Sequence, residues 1–427
     1  MKIYAIINNL YTNTFDTLFY ESLKDDSVDM KFVVIPFKQP GTNETISMSE
    51  LRQYMESKNY PYIEGYNEKT GVYYDLYNEK PDAVFLQSPY DLQRISKLYS
   101  SKYLYTFTNV YHISYGSTML NYDFPPYDNL LTNALQYFDA CFAESTDLVK
   151  TLDKYNPNKY VPVGYAKCDK YLHYRNNPDF KFKPKDEEYD ISIAWKPRWV
   201  ATLGDSNFLK YFYSFVDYFS QNQNYQLIFV KHQLMENIVC AKQIATQKEI
   251  RKMFDMLENM KNVKIIEDDD FLDYVMNADI FVGDYCSTIM EFALTGKPVI
   301  YTPTEVILSD YGKEILKGMY IADNFNEISN IIANLKNGED DLKDVRQNVK
   351  NLISDTPPNG MTIGKYILEY IKNADKKVEN PKQRAELLNE KVVKKEVEKE
   401  TKIKFKDKIR LKIYKRLYKT LHRKNLV

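Results

Sequence analysis

Cysteine is scarce. Cys141, Cys168, Cys240 and Cys286 are the only four in 427 residues, and no two form a CxxC pair. That spacing argues against a disulfide scaffold and a zinc ribbon, and it fits a reducing cytosol. Long apolar runs are missing as well: no stretch approaches the roughly 18 uncharged apolar residues needed to span a bilayer. The first seven residues are apolar but too short for a secretory core, and Asn8-Asn9 ends them without a small-residue cleavage site. An integral membrane protein and an exported one are both disfavoured. There is no G-x-x-x-x-G-K-[ST], no G-x-G-x-x-G and no G-x-S-x-G. A P-loop ATPase, a dinucleotide enzyme and an elbow-type serine hydrolase therefore have little support.

The composition, 44% hydrophobic and 27% charged, is that of a soluble globular protein, long enough for two or three domains. A formal net charge of −1 hides an asymmetry. Residues 401–427 carry eleven Lys or Arg against the single acid Asp407, so the rest of the chain is acidic. In that tail Phe405, Ile409, Ile413, Leu417 and Leu421 recur every four residues, with Tyr414 and Tyr418 alongside and cations on the other faces. The pattern describes a basic amphipathic helix suited to an anionic membrane surface, with contacts between Lys402 and Lys424. A basic packing helix or an oligomer contact remains open. Nothing points to nucleic acid.

Short apolar runs alternate with amphipathic ones. Residues 2–7, 31–35, 83–87, 103–107 and 140–143 read as buried strands, and 127–138 and 146–155 as helices. A polar, proline-containing stretch near 175–190 reads as a linker. The alternation then restarts, with strands at 191–195, 226–230, 263–266, 280–282 and 299–301. Helices are expected at 208–219, 249–260, 288–294, 327–335 and 363–371. Near-continuous apolar strands separated by helices imply parallel sheets. The economical architecture is α/β, two Rossmann-like doubly wound domains (1–175 and 190–374) facing a cleft, followed by a charged linker and basic helical tail (375–427). Ligands of such sheets bind at the carboxyl ends of the strands.

The most informative stretch runs from Asp268 to Ala293. It reads as a short helix, a buried strand, a polar turn and a second helix, and the turn sets Ser287, Thr288 and free backbone amides at the start of that helix. An anion suits the location; a helix-capping Ser287 suits it equally. Asp284-Tyr285-Cys286-Ser287-Thr288, followed by Gly296-Lys297-Pro298-Val299-Ile300-Tyr301, resembles the nucleotide-diphosphate motif of the CDP-glycerol glycerophosphotransferase family, the teichoic acid and capsule polymerases. Cys286 stands where a serine is usual. The resemblance implies a GT-B fold and gives Ser287, Thr288 and Asp284 to the donor phosphates.

Upstream, Phe229-Val230-Lys231-His232 resembles the family's Lys-x-His-Pro element, with Gln233 replacing the proline and no intervening residue. Its implied role for Lys231 and His232 is neutralising donor pyrophosphate, which a Lys and a His leaving one strand end can do. Trp195-Lys196-Pro197-Arg198-Trp199 is similar to the family's Arg-containing turn, so Lys196 and Arg198 are further candidates. In the first half His112, within Asn109-Val110-Tyr111-His112-Ile113-Ser114-Tyr115-Gly116, is the candidate for the family's catalytic histidine. It would be a general base that takes the acceptor proton, and imidazole titrates near neutrality. A structural histidine is the alternative. His173 and His422 have no such case. Glu291, one turn after Ser287, is a candidate for the nucleotide ribose or for a surface role. The run Asp268–Asp270 could hold a metal, but Asp270 can instead cap a helix and the resemblance implies no metal and no other cofactor.

The reading is a transferase acting in teichoic acid or capsule assembly on the inner face of the cell membrane. A CDP-linked polyol would lose CMP to a hydroxyl of a lipid-linked or polymer acceptor. Two alternatives stand beside it: a GT-B glycosyltransferase using a nucleotide sugar, and a non-catalytic GT-B-like subunit that tethers a partner to the membrane.

Overall fold

A computed structural model describes residues 1–10, 12–38, 45–46, 48–116, 119–121, 134–174, 188–198, 206–232, 235–241, 243–267 and 271–388. The expected linker, most of the 127–138 helix, the aspartate run and the basic tail lie outside them. Among the described residues no helix is long and apolar enough to cross a membrane.

Two parallel sheets organise the chain. Strands β1 (Lys2–Ile7), β2 (Asp29–Val34), β3 (Tyr62–Glu64), β4 (Ala83–Leu86), β5 (Asn109–Ile113), β6 (Ala140–Ala143) and β7 (Tyr160–Pro162) stand in the order β7-β6-β5-β4-β1-β2-β3. Strands β8 (Ile191–Lys196), β9 (Tyr225–Val230), β10 (Val263–Ile266), β11 (Ile280–Gly283), β12 (Val299–Tyr301) and β13 (Tyr320–Ile321) stand as β10-β9-β8-β11-β12-β13. Each sheet therefore grows outward in one direction from its first strand and then, from its fourth, in the other. That reversal opens a crevice at the carboxyl ends of the central strands. Every pairing in both sheets is parallel.

Helices cover both faces, which is why β4, β5, β6, β8, β9 and β11 are buried along their whole length. In the first sheet the small Ala5 sits between Phe32 and Phe85 on neighbouring strands. In the second, Trp195 stacks on Phe215 at 4.1 Å between ring centroids, with Phe229 at 5.1 Å. The helix Phe208–Gln221 presents Phe208, Tyr211, Phe212, Phe215 and Phe219 on that side because helical spacing puts them on one face.

One strand expectation is overturned. Residues 103–107 are not a strand: the Ser100 hydroxyl accepts from the Tyr103 amide and starts a helical turn, Ser101–Leu104. The strand begins later, at Asn109, and takes in His112. The stretch after Asp375, expected as a solvated helix or flexible linker, includes the helix Pro381–Leu388, in which no residue is buried. Up to Leu388 it is docked along the first sheet, through ion pairs of Lys376 with Asp82 (2.8 Å) and Lys377 with Asp139 (2.6 Å) and through Arg384, 3.5 Å over the Tyr77 ring.

Several contacts fasten the two sheets together, and two of them are formed by chain segments rather than single side chains. Leu120 pairs antiparallel with Leu308, and the Ser309 amide donates to the Met119 carbonyl at 2.8 Å. After the second sheet, the helix Ile363–Lys372 returns to the first and packs on the helix Asp16–Ser22, burying Ile363, Ile367, Leu368 and Ile371. The approach is close: a β-carbon on Gly364 would overlap the Thr17 carbonyl. Gly364→Ala should therefore lower the unfolding free energy by about 2 kcal/mol, the cost of overpacking a tight joint. Urea denaturation with an unchanged m-value is the check.

Candidate functional site

The second sheet supplies a cationic edge. β8 ends at Lys196, directly opposite Gly283 at the end of β11. The next residue, Asp284, is wholly buried, and its carboxylate accepts from the backbone amides of Arg198 (2.6 Å) and Asn207 (2.7 Å). Burial outweighs those donors and pushes its carboxyl up to about 6. Asp284 thus pins the loop that carries Arg198, and both of its oxygens are occupied by protein amides. The Arg198 guanidinium lies 5.2 Å over the Tyr285 ring, against the same turn.

Ser287 opens the helix Ser287–Ala293, with Cys286 as its N-cap and no side-chain capping bond. Ser287 is half-buried and Thr288 buried. The helix is under two turns long, so its dipole is small and the charge around it comes from side chains. Lys196 lies 5.1 Å over the Phe271 ring and Lys167, from the far side of the linker, 5.6 Å over the same ring. Beside them opens a cavity of about 170 Å³, lined also by Asn13, Thr17, Tyr54 and Tyr171.

The other expected donor residues divide. His232 adjoins Lys196, and burial together with that ammonium pushes its imidazole down to about 3, so it is uncharged at neutral pH. It can offer a hydrogen bond here, not a charge. Lys231 is held elsewhere: its ammonium pairs with Glu236 and, at 2.7 Å, with Glu267, and lies 4.4 Å over the Phe254 ring. Two carboxylates already meet its charge. Glu291 is 0% exposed, which removes the surface role. One of its oxygens accepts from Lys167 Nζ (3.0 Å) and Tyr165 OH (3.3 Å), while Oε2 is buried with no hydrogen-bond partner.

From the first sheet, His112 lies within β5 rather than after it and is 4% exposed. Its Nδ1 is 2.8 Å from the Leu86 carbonyl, which makes Nδ1 the protonated nitrogen, and burial with Arg94 nearby pushes the ring down to about 4. The segment that follows reaches the other lobe. A β-carbon on Gly116 would stand 3.2 Å from Ser287 Cβ, so the bare glycine lets the two strand ends meet. Between them, Ser114 Oγ donates to Glu144 Oε1 at 2.9 Å. Glu144 is 1% exposed and its carboxyl is pushed up to about 7, mainly by burial and further by Glu291.

The structure therefore gathers Lys196, Arg198, His232, Asp284, Ser287, Thr288 and Glu291 at one edge, with Gly116 meeting Ser287 from the first sheet and Lys231 turned to other partners. Sequence reasoning missed Lys167, Phe271, Ser114 and Glu144. For Glu144 there was a signal: an acid directly after a four-residue apolar strand sits at a carboxyl edge. Among the described residues no cluster of three or more His, Cys, Asp or Glu could hold a metal ion.

Lys167 and Glu291 form a buried pair, so removing one partner strands the other. Lys167→Met should destabilise the fold by about 3 kcal/mol, and adding Glu291→Gln should recover part of that loss. Chemical denaturation of the two single variants and the double variant reads the coupling.

No protein-family model and no curated protein matches the chain, so the resemblance to the CDP-glycerol glycerophosphotransferases rests on the residues quoted. Its shape does match solved structures. The S. aureus MnaA–UDP complex superposes with a TM-score of 0.54 at 13% identity, covering 87% of this chain and 96% of that one. The Methanocaldococcus jannaschii UDP-GlcNAc 2-epimerase, in complex with UDP-GlcNAc and UDP, gives 0.54 at 18% identity over 88% of this chain and 100% of that one. Anabaena HepE in complex with UDP-glucose gives 0.50 at 12% identity over 88% and 100%. At such identities the likeness is one of fold, and the fold of this chain is GT-B.

Proposed function

We propose that this chain is a GT-B glycosyltransferase that binds a nucleotide sugar along the carboxyl edge of its second sheet and passes the sugar to an acceptor hydroxyl. One observation carries the reading. Lys196 and Arg198 stand at one strand end with Ser287 and Thr288, and Lys167, paired with Glu291, shares the Phe271 ring with Lys196. A diphosphate leaving group gains negative charge as its bond to the sugar breaks, and fixed cations in a partly buried crevice stabilise that charge. Support also comes from the neighbours in shape, whose structures hold UDP, UDP-GlcNAc or UDP-glucose.

The acceptor hydroxyl would enter from the first sheet, where Gly116 meets Ser287. A lipid-linked or polymer acceptor fits the basic stretch between Lys402 and Lys424, whose charge suits an anionic membrane surface. The motif at 284–301 supports a second donor for the same cradle, a CDP-linked polyol attacked at phosphorus with CMP leaving.

Calorimetric titration separates these. UDP is expected to bind, and Lys196→Ala and Arg198→Ala are each expected to weaken it by about tenfold, the scale of one lost charge-assisted hydrogen bond. Lys231→Ala should leave the affinity within about twofold. Tight CDP binding, CMP release from CDP-glycerol and no response to UDP would transfer the site to the polyol donor. Failure of every nucleotide to bind would leave a non-catalytic tethering subunit.

A further inference from the structure

We propose that the acceptor proton leaves through a two-step relay, from the acceptor hydroxyl to Ser114 and from Ser114 to Glu144, rather than to His112. The inference rests on the glycosyltransferase reading and assigns its base. Ser114 follows β5 and Glu144 follows β6, so two adjacent parallel strands deliver them side by side to the cleft edge. Ser114 is half-buried, two residues from the point where Gly116 meets Ser287, and so can reach a group bound between the lobes. Glu144 lies behind it, and among the described residues its Oε2 is buried without a hydrogen-bond partner. A carboxyl group in that condition is a poor structural choice, since an unmet acceptor costs stability. It is a sound choice for a group that must take up a proton.

His112 fits the task less well. It is sealed within its strand, its Nδ1 is committed to Leu86, and its basicity is low. Around Glu144 stand Glu291 on the facing helix, itself paired with Lys167; Cys168 beside that lysine; Cys141 on the same strand; and Asp355, whose amide donates to the Glu144 carbonyl at 2.9 Å. The Lys167 ammonium is thus already matched by Glu291, which leaves burial to hold the proton on Glu144 up to near neutrality.

In the step itself the acceptor O–H bond breaks and its oxygen bonds to the anomeric carbon. The bond from that carbon to the diphosphate oxygen breaks, and its electron pair leaves with the nucleoside diphosphate. Ser114 Oγ receives the acceptor proton as it yields its own to Glu144 Oε1. Ser114 is the catalytic residue here, and Glu144 acts through it.

The test follows UDP release from UDP-glucose with water as acceptor between pH 5 and 9, alongside UDP affinity by calorimetry. Because Glu144 must be ionised to accept a proton, the wild-type rate should rise about tenfold per pH unit and level off near pH 7. Glu144→Gln should lower it about a hundredfold and flatten the profile, with UDP affinity within about twofold. A protonated-carboxyl infrared band that titrates near pH 7 should vanish in the same variant. Should Glu144→Gln not fold, Ser114→Ala must show the same loss of rate with UDP binding kept. A wild-type profile flat from pH 6 to 8, or an unchanged profile in either variant, would overturn the relay while UDP binding stood. No UDP binding by the wild-type protein would instead remove the glycosyltransferase reading, and the relay with it.

Discussion

A single hydroxyl ties three distant parts of the chain. Thr17 Oγ1 donates to Asp169, soon after the first sheet, and accepts at 3.0 Å from the amide of Gly364, in the helix that returns from the second sheet to the first. Asp169 in turn accepts from the Ile363 amide at 3.3 Å. The two sheets are separate folding surfaces, and a cleft between them has a chemistry only if their strand ends keep a fixed relation. The knot at Thr17 supplies that relation at one end of the molecule, and the pairing of Leu120 with Leu308 supplies it at another. Between these fastenings Gly116 and Ser287 come into contact.

Within that frame, burial assigns different tasks to chemically identical groups. Asp284 and Glu144 are both buried carboxyls following a parallel strand, and both are raised above the ordinary carboxylate range. Asp284 has its two oxygens filled by backbone amides, so its place is to hold a loop. Glu144 has one oxygen on a serine and one on nothing. Glu291 answers Lys167 with one oxygen and keeps the other free. Among the described residues these two oxygens are buried acceptors left unmet.

The sheets were legible in the sequence because parallel strands bury both faces and read as unbroken apolar runs; 140–143 and 299–301 coincide with β6 and β12. The failure at 103–107 has a local cause. Tyr-Leu-Tyr-Thr-Phe alternates like a strand, but Ser100 caps a turn there and tertiary packing carries the rest. In the site, Lys196, Arg198 and Ser287 were visible because they sit beside strand ends that are themselves visible. Lys231 sits equally close to one, yet its ammonium finds Glu236 and Glu267, one from a following helix and one beyond a neighbouring strand. No local pattern announces that pairing. Lys167 reaches Phe271 across about a hundred residues of sequence, a distance at which spacing says nothing.

The two histidines near the cleft show why residue type alone misleads about chemistry. Imidazole is chosen for proton transfer because its ordinary value lies near neutrality, but that argument holds only in water. His112 and His232 are both driven well below it, one by enclosure in a strand and one by enclosure beside Lys196. Neither can supply a positive charge to a diphosphate at neutral pH. Positive charge at this edge comes from Lys196 and Arg198, since Glu291 already meets that of Lys167. The same burial acts in the opposite direction on a carboxylic acid, because there the charged form is the deprotonated one. It moves Glu144 into the range the imidazoles have left. A crevice dry enough to silence its histidines is, for that reason, one in which a glutamate can do a histidine's work.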